Sequence, residues 1–516
     1  MMSKVFSACP QGVEAVPITV EIDVRPNRLS VNIVGLPDAA TRESKDRLLP
    51  AITNSGFALD ESSIVINLSP ADLRKEGSAY DLPMAIGILA SKGIIPQANL
   101  AETLFLGELA LDGGLKPVRA VLACSECAQN QGLKRIVLPH ENTREANLVQ
   151  GIEVLGAANL AQVVNFLRGH AELSPPDTDG RPQEPIEPPP DFAEVKGQTL
   201  AKRALEIAAA GQHNALLYGP PGSGKSMLSK RLAGILPPLS DLEFIEVLRI
   251  YSSAGKSQVA LAHWSRRPFR APHHTASPIA LIGGGTFPKP GEVTLAHKGV
   301  LFLDEFPEFP RTVLEVLRQP LEDRHVTISR ATNQVTFPAD FLLMAAMNPC
   351  PCGWHGDPRK SCDCSPERIQ TYRGRISGPL LDRIDLHVEV GTVSLRSIRK
   401  LPPAEPSQVI RKRVLAARSV QLERFGSSLK TNGNMNEKEL TQFCPLSDGD
   451  AEMLECHIDR LGYSGRVHSK ILKVARTIAD LEGLEHIEAK HLREALAFRK
   501  LDQKPKVRSL QAEEVS

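Results

Sequence analysis

The sequence predicts an α/β multidomain protein organised round a phosphate-binding core. Three observations carry that reading. Strand-like and helix-like segments alternate on both sides of a proline-rich break at Ser174–Phe192. A segment fitting G-x-x-x-x-G-K-[ST], Gly219–Ser226, stands between a predicted strand and a predicted helix. From about Ser407 onward the pattern turns helical. At about 150 residues per domain, a length of 516 residues suggests three domains.

The elements follow in order. Val16, Ile18, Val20, Ile22 and Val24 alternate with Pro17, Thr19, Glu21 and Asp23, the period of a half-buried strand. Leu29–Val34, Ser63–Leu68 and Arg135–Leu138 read as further strands, and Asp81–Ser91 and Val118–Gln129 as helices. Residues 1–170 are therefore expected to form a mixed α/β unit. Residues 171–192 form a linker: seven of the nineteen residues Ser174–Phe192 are proline, which fixes φ and lacks the N–H donor of a helix or central strand. Residues 193–400 open with a helix at Thr199–Ala210 and a strand at Asn214–Tyr218. A glycine-rich turn and a helix from Lys225 come next, and further strands lie at Val300–Leu303 and Phe341–Met347. Strands separated by helices predict a parallel sheet with crossover helices. After Leu401–Pro406, residues 401–516 are helical, most clearly at Gln408–Arg424, Ala451–Leu461 and Ser469–Leu481.

Composition bounds the function. A hydrophobic fraction of 42% and a charged fraction of 23% are those of globular chains, not disordered or fibrous ones. With 61 basic and 60 acidic residues the net charge is +1, which excludes a polybasic coat binding nucleic acid by bulk attraction but allows a local basic channel. Aromatics, at 4%, are too sparse for an extended base-stacking platform. No apolar run suggests a membrane span, and the N-terminus has no apolar secretion segment, so the expected location is the cytoplasm. Nine cysteines, an odd number, fit reduced thiols better than a disulfide framework.

The chemistry concentrates at Gly219, Pro220, Pro221, Gly222, Ser223, Gly224, Lys225 and Ser226. Glycines let successive backbone N–H groups form an anion nest, and the following helix adds its N-terminal dipole. In such a P-loop Lys225 reaches the β- and γ-phosphates of ATP, and the Ser226 hydroxyl ligates Mg²⁺. Gly299–Glu305 is an apolar strand that ends in two acids. Asp304 would hold Mg²⁺ and Glu305 would polarise the attacking water, which implies hydrolysis. The strand Phe341–Met347 ends at Asn348, whose amide would orient that water, or which merely starts a turn before Pro349.

At this point longer motifs match a known group. Val195–Gln198, Ala201–Gly211, Phe269–His274, Gly299–Glu305, Met347–Gly353 and Ser464–Asp480 occur in order, and together they resemble the YifB/ComM group of magnesium-chelatase-like AAA+ ATPases over essentially the whole chain. The resemblance implies a homo-hexameric ring ATPase: a DNA helicase that acts on single-stranded and branched DNA and drives branch migration during natural transformation. The chain would then comprise a Lon-protease-like (S5-like) α/β N-terminal domain, a P-loop AAA+ core and an α-helical lid. Ser377–Asp385 is similar to the segment that carries an arginine finger, so Arg383 would reach a neighbour's γ-phosphate; alternatively Arg383 is an ordinary partner of Asp382 or Asp385. Arg466 resembles the sensor-2 arginine of the lid, with Arg476 on the same helix as the competing assignment. Arg324–Phe337 reads as a hairpin and resembles one that projects into the ring channel; Arg330 at its tip is the first candidate for a DNA phosphate. Lys289 and Lys298, near the flexible loop Gly283–Gly285, are others. In the same insert lie Arg270, His273 and His274. The adjacent histidines, read on a strand, point to opposite faces, which favours a structural or DNA role over metal.

The N-terminal domain resembles Lon-type proteases at Arg74–Met84 and Gly107–Val118. The nucleophile position of their Ser–Lys dyad falls on Ala79 and the lysine position near Leu122; Ser78 and Lys116 are off register. A serine without a base is a poor nucleophile, so the domain is expected to be a scaffold. An ATP-dependent protease is thereby disfavoured. The remaining alternative is a metal-insertion motor of the magnesium-chelatase type or another protein-remodelling ATPase. It is disfavoured because chelatase motor subunits resemble only the central and lid parts. Finally, Cys350, Cys352, Cys362 and Cys364, in a loop spanning 350–364, offer the ligand set for tetrahedral Zn²⁺. C-x-C is tighter than the usual pair spacing, and free thiols or a redox pair are the other readings.

Overall fold

The structure is a computed structural model that describes residues 2–176, 189–285, 288–329, 334–393, 399–499 and 501. Most of the proline-rich break lies outside them. The first half begins with β1 (Met2–Gln11), β2 (Glu14–Pro26), β3 (Ser30–Val34) and α1 (Ala39–Asn54). It continues through β4 (Ser62–Ser69), α2 (Asp81–Ser91), β5 (Thr103–Phe105), α3 (Val121–Asn130), β6 (Arg135–Pro139) and β7 (Glu153–Ala157). These strands form one seven-stranded sheet in the order β3-β4-β2-β1-β5-β6-β7. β1 pairs antiparallel with β2 and β2 with β4, whereas the other neighbours run parallel. The alternation read in β2 holds: Ile18, Val20, Ile22 and Val24 are buried and Pro17 is exposed. β1 gave no such signal because Ala8 and Cys9, on opposite faces of the strand, are both buried, so the polar half of the pattern is missing. The helix α1 went unread because its first turn carries no acid and Pro50 lies inside it; the Asp38 side chain caps it by accepting from Thr41 N–H at 2.7 Å.

The second half contains α4 (Thr199–Gly211), β8 (Ala215–Tyr218), α5 (Lys225–Ile235), α6 (Asp241–Ser253), β9 (Phe269–Arg270) and β10 (Val300–Leu303). After these come the hairpin β11 (His325–Ser329) and β12 (Gln334–Pro338), then β13 (Leu342–Met347) and β14 (Leu386–Glu389). The five-stranded sheet has the order β9-β10-β13-β8-β14, and every pair in it is parallel. β8 and β10 are buried at every residue, as expected of apolar strands covered on both faces. The C-terminal helices α7 (Ser407–Phe425), α8 (Asp448–Leu461), α9 (Gly465–Leu481) and α10 (Ala489–Ala497) follow.

Two packing arrangements join these parts. Ala204 and Leu205 of α4, Leu217 of β8, Val414 of α7 and Ile471 of α9 belong to one hydrophobic cluster, so the C-terminal helices share a core with the parallel sheet. A second cluster joins Val121 and Cys124 of α3 to Phe244 and Leu248 of α6, across the boundary between the two sheets. Arg249 seals that contact with Glu126 at 2.6 Å. Among the described residues, no helix is long and apolar enough to cross a membrane.

Candidate nucleotide site

The glycine-rich segment forms the turn from β8 into α5. Gly222 and Gly224 adopt φ of +73° and +93°, which side-chain-bearing residues rarely take. At Gly219 a Cβ would come within 2.1 Å of the Val390 carbonyl oxygen, so only glycine fits there. The Gln198 amide, from the Val195–Gln198 motif, donates to Ser223 O at 3.1 Å and Gly391 O at 2.6 Å and so fixes the loop from outside.

Lys225 begins α5 and is buried. Its ammonium donates to Gly219 O at 2.7 Å, Pro220 O at 3.0 Å and Asn348 Oδ1 at 3.1 Å. Burial lowers its pKa, and the Asp304 carboxylate works against that shift. The Ser226 hydroxyl donates to Asp304 Oδ2 at 2.5 Å. β10 places the acid, because Leu303 pairs with Ala345 in β13, and β13 in turn pairs with β8 and ends at Met347, just before Asn348. The parallel sheet therefore brings Lys225, Ser226, Asp304 and Asn348 together from three strands, as the sequence suggested. The residues fit Mg²⁺ and a polyphosphate: a hydroxyl and a carboxylate meet at one point, and Ser223 Oγ is buried with no hydrogen-bond partner among the described residues.

Glu305 stands one residue further on, at φ +52°, with its side chain 55% exposed. Its carboxylate lies 3.1 Å from His274 Nδ1. Sequence reasoning did not find this contact, and the histidine pair needs correction. His273 and His274 lie beyond the end of β9 rather than on a strand, and their rings sit 4.1 Å apart instead of pointing to opposite faces. The signal available was the Phe269–His274 motif itself; what it could not give was the loop path that swings His274 to Glu305.

The two arginines lie elsewhere. Asp385, two residues after Arg383, donates its backbone N–H to Asn214 O at 2.8 Å, at the amino end of β8. The P-loop leaves the carboxyl end of that strand, roughly 16 Å away at about 3.3 Å per residue. The Arg383 guanidinium donates to Pro379 O at 2.7 Å and pairs with Glu322. Arg466 is exposed and lines the same 390 Å³ cleft as Arg383, together with Asp382 and Lys473. Arg476, the competing sensor, is buried: it donates to Asp480 Oδ1 at 3.0 Å and to the Leu484 and Glu485 carbonyls at 2.6 Å each. Its guanidinium is consumed inside the helical core.

The DNA candidates divide. Arg330 lies outside the described residues. Lys289 is exposed. It also acts on Glu76 of the first half, whose carboxyl burial pushes up to about 7 against the pull of Arg74 and Lys289. Lys298 must be corrected: its side chain is only 9% exposed, and its ammonium is 2.9 Å from Asp340 and 3.8 Å from Glu246. An ammonium held by two carboxylates is not available to a phosphate. Arg270 is likewise held by Glu292, through bonds of 2.6 and 2.7 Å.

In the first half, Ala79 and Leu122 pack in one hydrophobic cluster, where a dyad would need a hydroxyl and an amine. Ser78 Oγ donates to the Glu108 carboxylate, and Lys116 is exposed on a separate short strand.

Comparison with known proteins bears on all three parts of the chain. Residues 191–398 match the family described as magnesium chelatase, subunit ChlI, and residues 404–499 match that subunit's C-terminal family. Residues 20–142 match a family described as subunit ChlI of Mg-chelatase. Magnesium-chelatase subunit ChlI of Glycine max is 23% identical over 49% of this chain and 58% of its own. The chain is 44% identical to competence protein ComM of Haemophilus influenzae, over 96% of its own length and 97% of that protein's. It is 42% identical to the uncharacterised protein YifB of Escherichia coli, with 97% of each chain covered. Lon protease 2 of Bacillus subtilis is 23% identical over 34% of this chain and 33% of its own.

Proposed function

We propose, because the chain belongs to the ComM/YifB family of magnesium-chelatase-like AAA+ proteins, that it is an ATP-hydrolysing ring motor acting on DNA. The organisation we infer is a Lon-like scaffold at 1–170, a linker at 171–192, a P-loop core at 193–400 and a helical lid at 401–516. Lys225 and the backbone N–H groups of Gly219–Ser226 would bind the phosphates. Ser226 and Asp304 would hold Mg²⁺, which offsets phosphate charge when bound. Glu305 would accept the proton of the attacking water, and Asn348, held by Lys225, would orient that water.

One observation carries the assembly. Arg383 and Arg466 share a cleft at the amino end of β8, whereas the P-loop is at its carboxyl end. Neither arginine can meet the phosphates bound by its own chain, so both would serve a neighbour's. Repetition of that contact closes a ring, for which a homo-hexamer is our reading. A finger supplied in trans contributes about 10³–10⁵ in rate, so hydrolysis would depend on assembly.

DNA is the substrate we favour because the family includes a competence protein. Branch migration during natural transformation, in the cytoplasm, is the role proposed. Lys289 and Arg330 are the phosphate contacts that remain candidates. The alternative, a metal-insertion or protein-remodelling motor, keeps the same ATP chemistry and gains support from the chelatase-subunit match over residues 20–142. The test is ATP turnover with and without single-stranded and branched DNA, followed by strand separation, with Lys225→Ala as control. DNA-stimulated turnover and strand separation that vanish in the control are expected. ATPase activity indifferent to every DNA would favour the alternative.

A further inference from the structure

Four soft ligand atoms converge just beyond Asn348. The Sγ atoms of Cys350, Cys352, Cys362 and Cys364 all lie within 4.8 Å of one another. Three of the pairs stand at 3.3 Å (Cys350–Cys352), 3.5 Å (Cys352–Cys362) and 3.7 Å (Cys350–Cys362). A tetrahedron with metal–sulfur bonds of about 2.3 Å has edges of about 3.8 Å. The sulfurs therefore stand where the four ligands of a single tetrahedral ion stand. All four are free thiols. Packing does not explain their convergence, since none of them belongs to a hydrophobic cluster. The loop that carries them has neither helix nor strand from Pro349 to Ser365, and a loop of that length inside a compact domain needs its own source of order.

The surroundings fit a metal site. The His355 backbone N–H points at Cys350 Sγ, 3.4 Å away, as outer-shell donors do at thiolate sites. Asp357 accepts from the Arg359 backbone N–H at 2.7 Å and from its guanidinium at 2.9 and 3.1 Å, which pins the turn between the two cysteine pairs. The Lys360 ammonium lies 5.0 Å from the centre of the Trp354 ring.

The loop also touches the nucleotide site directly. Gly353, at φ +84°, rests on Pro221 of the P-loop, and a Cβ there would lie 2.7 Å from the proline ring carbons. Asn348, whose amide accepts from Lys225, precedes Cys350 by two residues. Arg373 ties the intervening Pro349 carbonyl at 3.1 Å.

We propose that the four cysteines bind one Zn²⁺ ion and that this knot holds Asn348 and the P-loop in register for hydrolysis. Binding replaces thiol protons by zinc–sulfur bonds, and the protons leave to solvent; no oxidation state changes. The coupling half of the proposal rests on reading Gly219–Ser226 as the ATP site, but the metal half does not.

The test begins with metal analysis by mass spectrometry of the full-length protein, purified under reducing conditions without chelator. About one zinc per chain is expected. Less than about a tenth, with none taken up on adding Zn²⁺, overturns the metal site, and iron in its place overturns the assignment to zinc. The double variant Cys362→Ser/Cys364→Ser is expected to lose the zinc and about tenfold in ATP turnover, while still binding a fluorescent ATP analogue. Gly353→Ala keeps every thiol and should keep the zinc, yet lower turnover by forcing the loop off Pro221. Full turnover in both variants overturns the coupling. A wild type with zinc but no ATPase activity would count against the ATP reading and leave the metal site standing.

Discussion

At the residue scale, the site turns on what each side chain is held by. Glu305 is exposed, and His274 is its partner at 3.1 Å. If Glu305 is the general base, Glu305→Gln should lower kcat by about 10²–10⁴ and leave ATP binding intact. His274→Ala should cost about tenfold in kcat at unchanged nucleotide affinity, because it removes only the orientation of that base. Steady-state turnover beside nucleotide titration checks both, and an unaltered kcat in His274→Ala would show the contact to be incidental. Lys298 makes the opposite point. It looked like a free cation beside a flexible loop, but its partners Asp340 and Glu246 lie far away in the sequence. Whether a lysine is spent internally depends on long-range contacts, which spacing does not encode.

At the element scale, local signals were legible and distant ones were not. The strand–turn–helix unit of β8 and α5 is contiguous in the sequence, so Gly219–Ser226 declared itself, and four apolar residues ending in Asp304 and Glu305 did the same for β10. The anchoring of that unit by Gln198 was invisible, since it depends on α4 packing beside the loop. The same holds for the hairpin β11–β12: its pairing was readable, but not that Gly12 in the β1–β2 turn packs on it, where an added Cβ would come 2.5 Å from Val335. Beside their shared hydrophobic core, the C-terminal helices meet the sheet domain through a buried pair, Lys470 Nζ of α9 to Asp385 Oδ1 at 2.6 Å. Burial pushes the Asp385 carboxyl up, but the Lys470 ammonium and His213 outweigh it and hold its pKa well below the usual range. A depressed folded pKa contributes stability that is present above the unfolded value, about 3.9, and is lost as pH falls through the folded value. Urea denaturation should therefore show Lys470→Met destabilised by about 3–5 kcal/mol at pH 7, because the buried Asp385 carboxylate loses its ammonium partner and keeps only the Asn214 N–H and His213. The difference from wild type should shrink below about pH 4, where the unfolded carboxyl is protonated. A cost under about 1 kcal/mol would mean that the pair does not hold the C-terminal helices in place.

At the scale of the whole molecule, the near-neutral charge of +1 excludes a surface that attracts DNA everywhere, so any grip must be local. The first half carries no Ser–Lys dyad at Ala79 and Leu122, and its α3 is fused to α6 of the second half through a shared core. The larger consequence comes from the ends of β8. Gly219–Ser226 stands at one end and Arg383 and Arg466 at the other, so on the proposed roles one chain would carry two halves of a site that only a neighbour completes. The direct measurement is ATP turnover by assemblies co-purified from two variants, Lys225→Ala and Arg383→Ala, each inactive alone. Recovered turnover in the mixture is predicted, since some interfaces then pair an intact P-loop with an intact finger. A mixture that assembles yet stays as inactive as either variant would contradict a site shared between subunits.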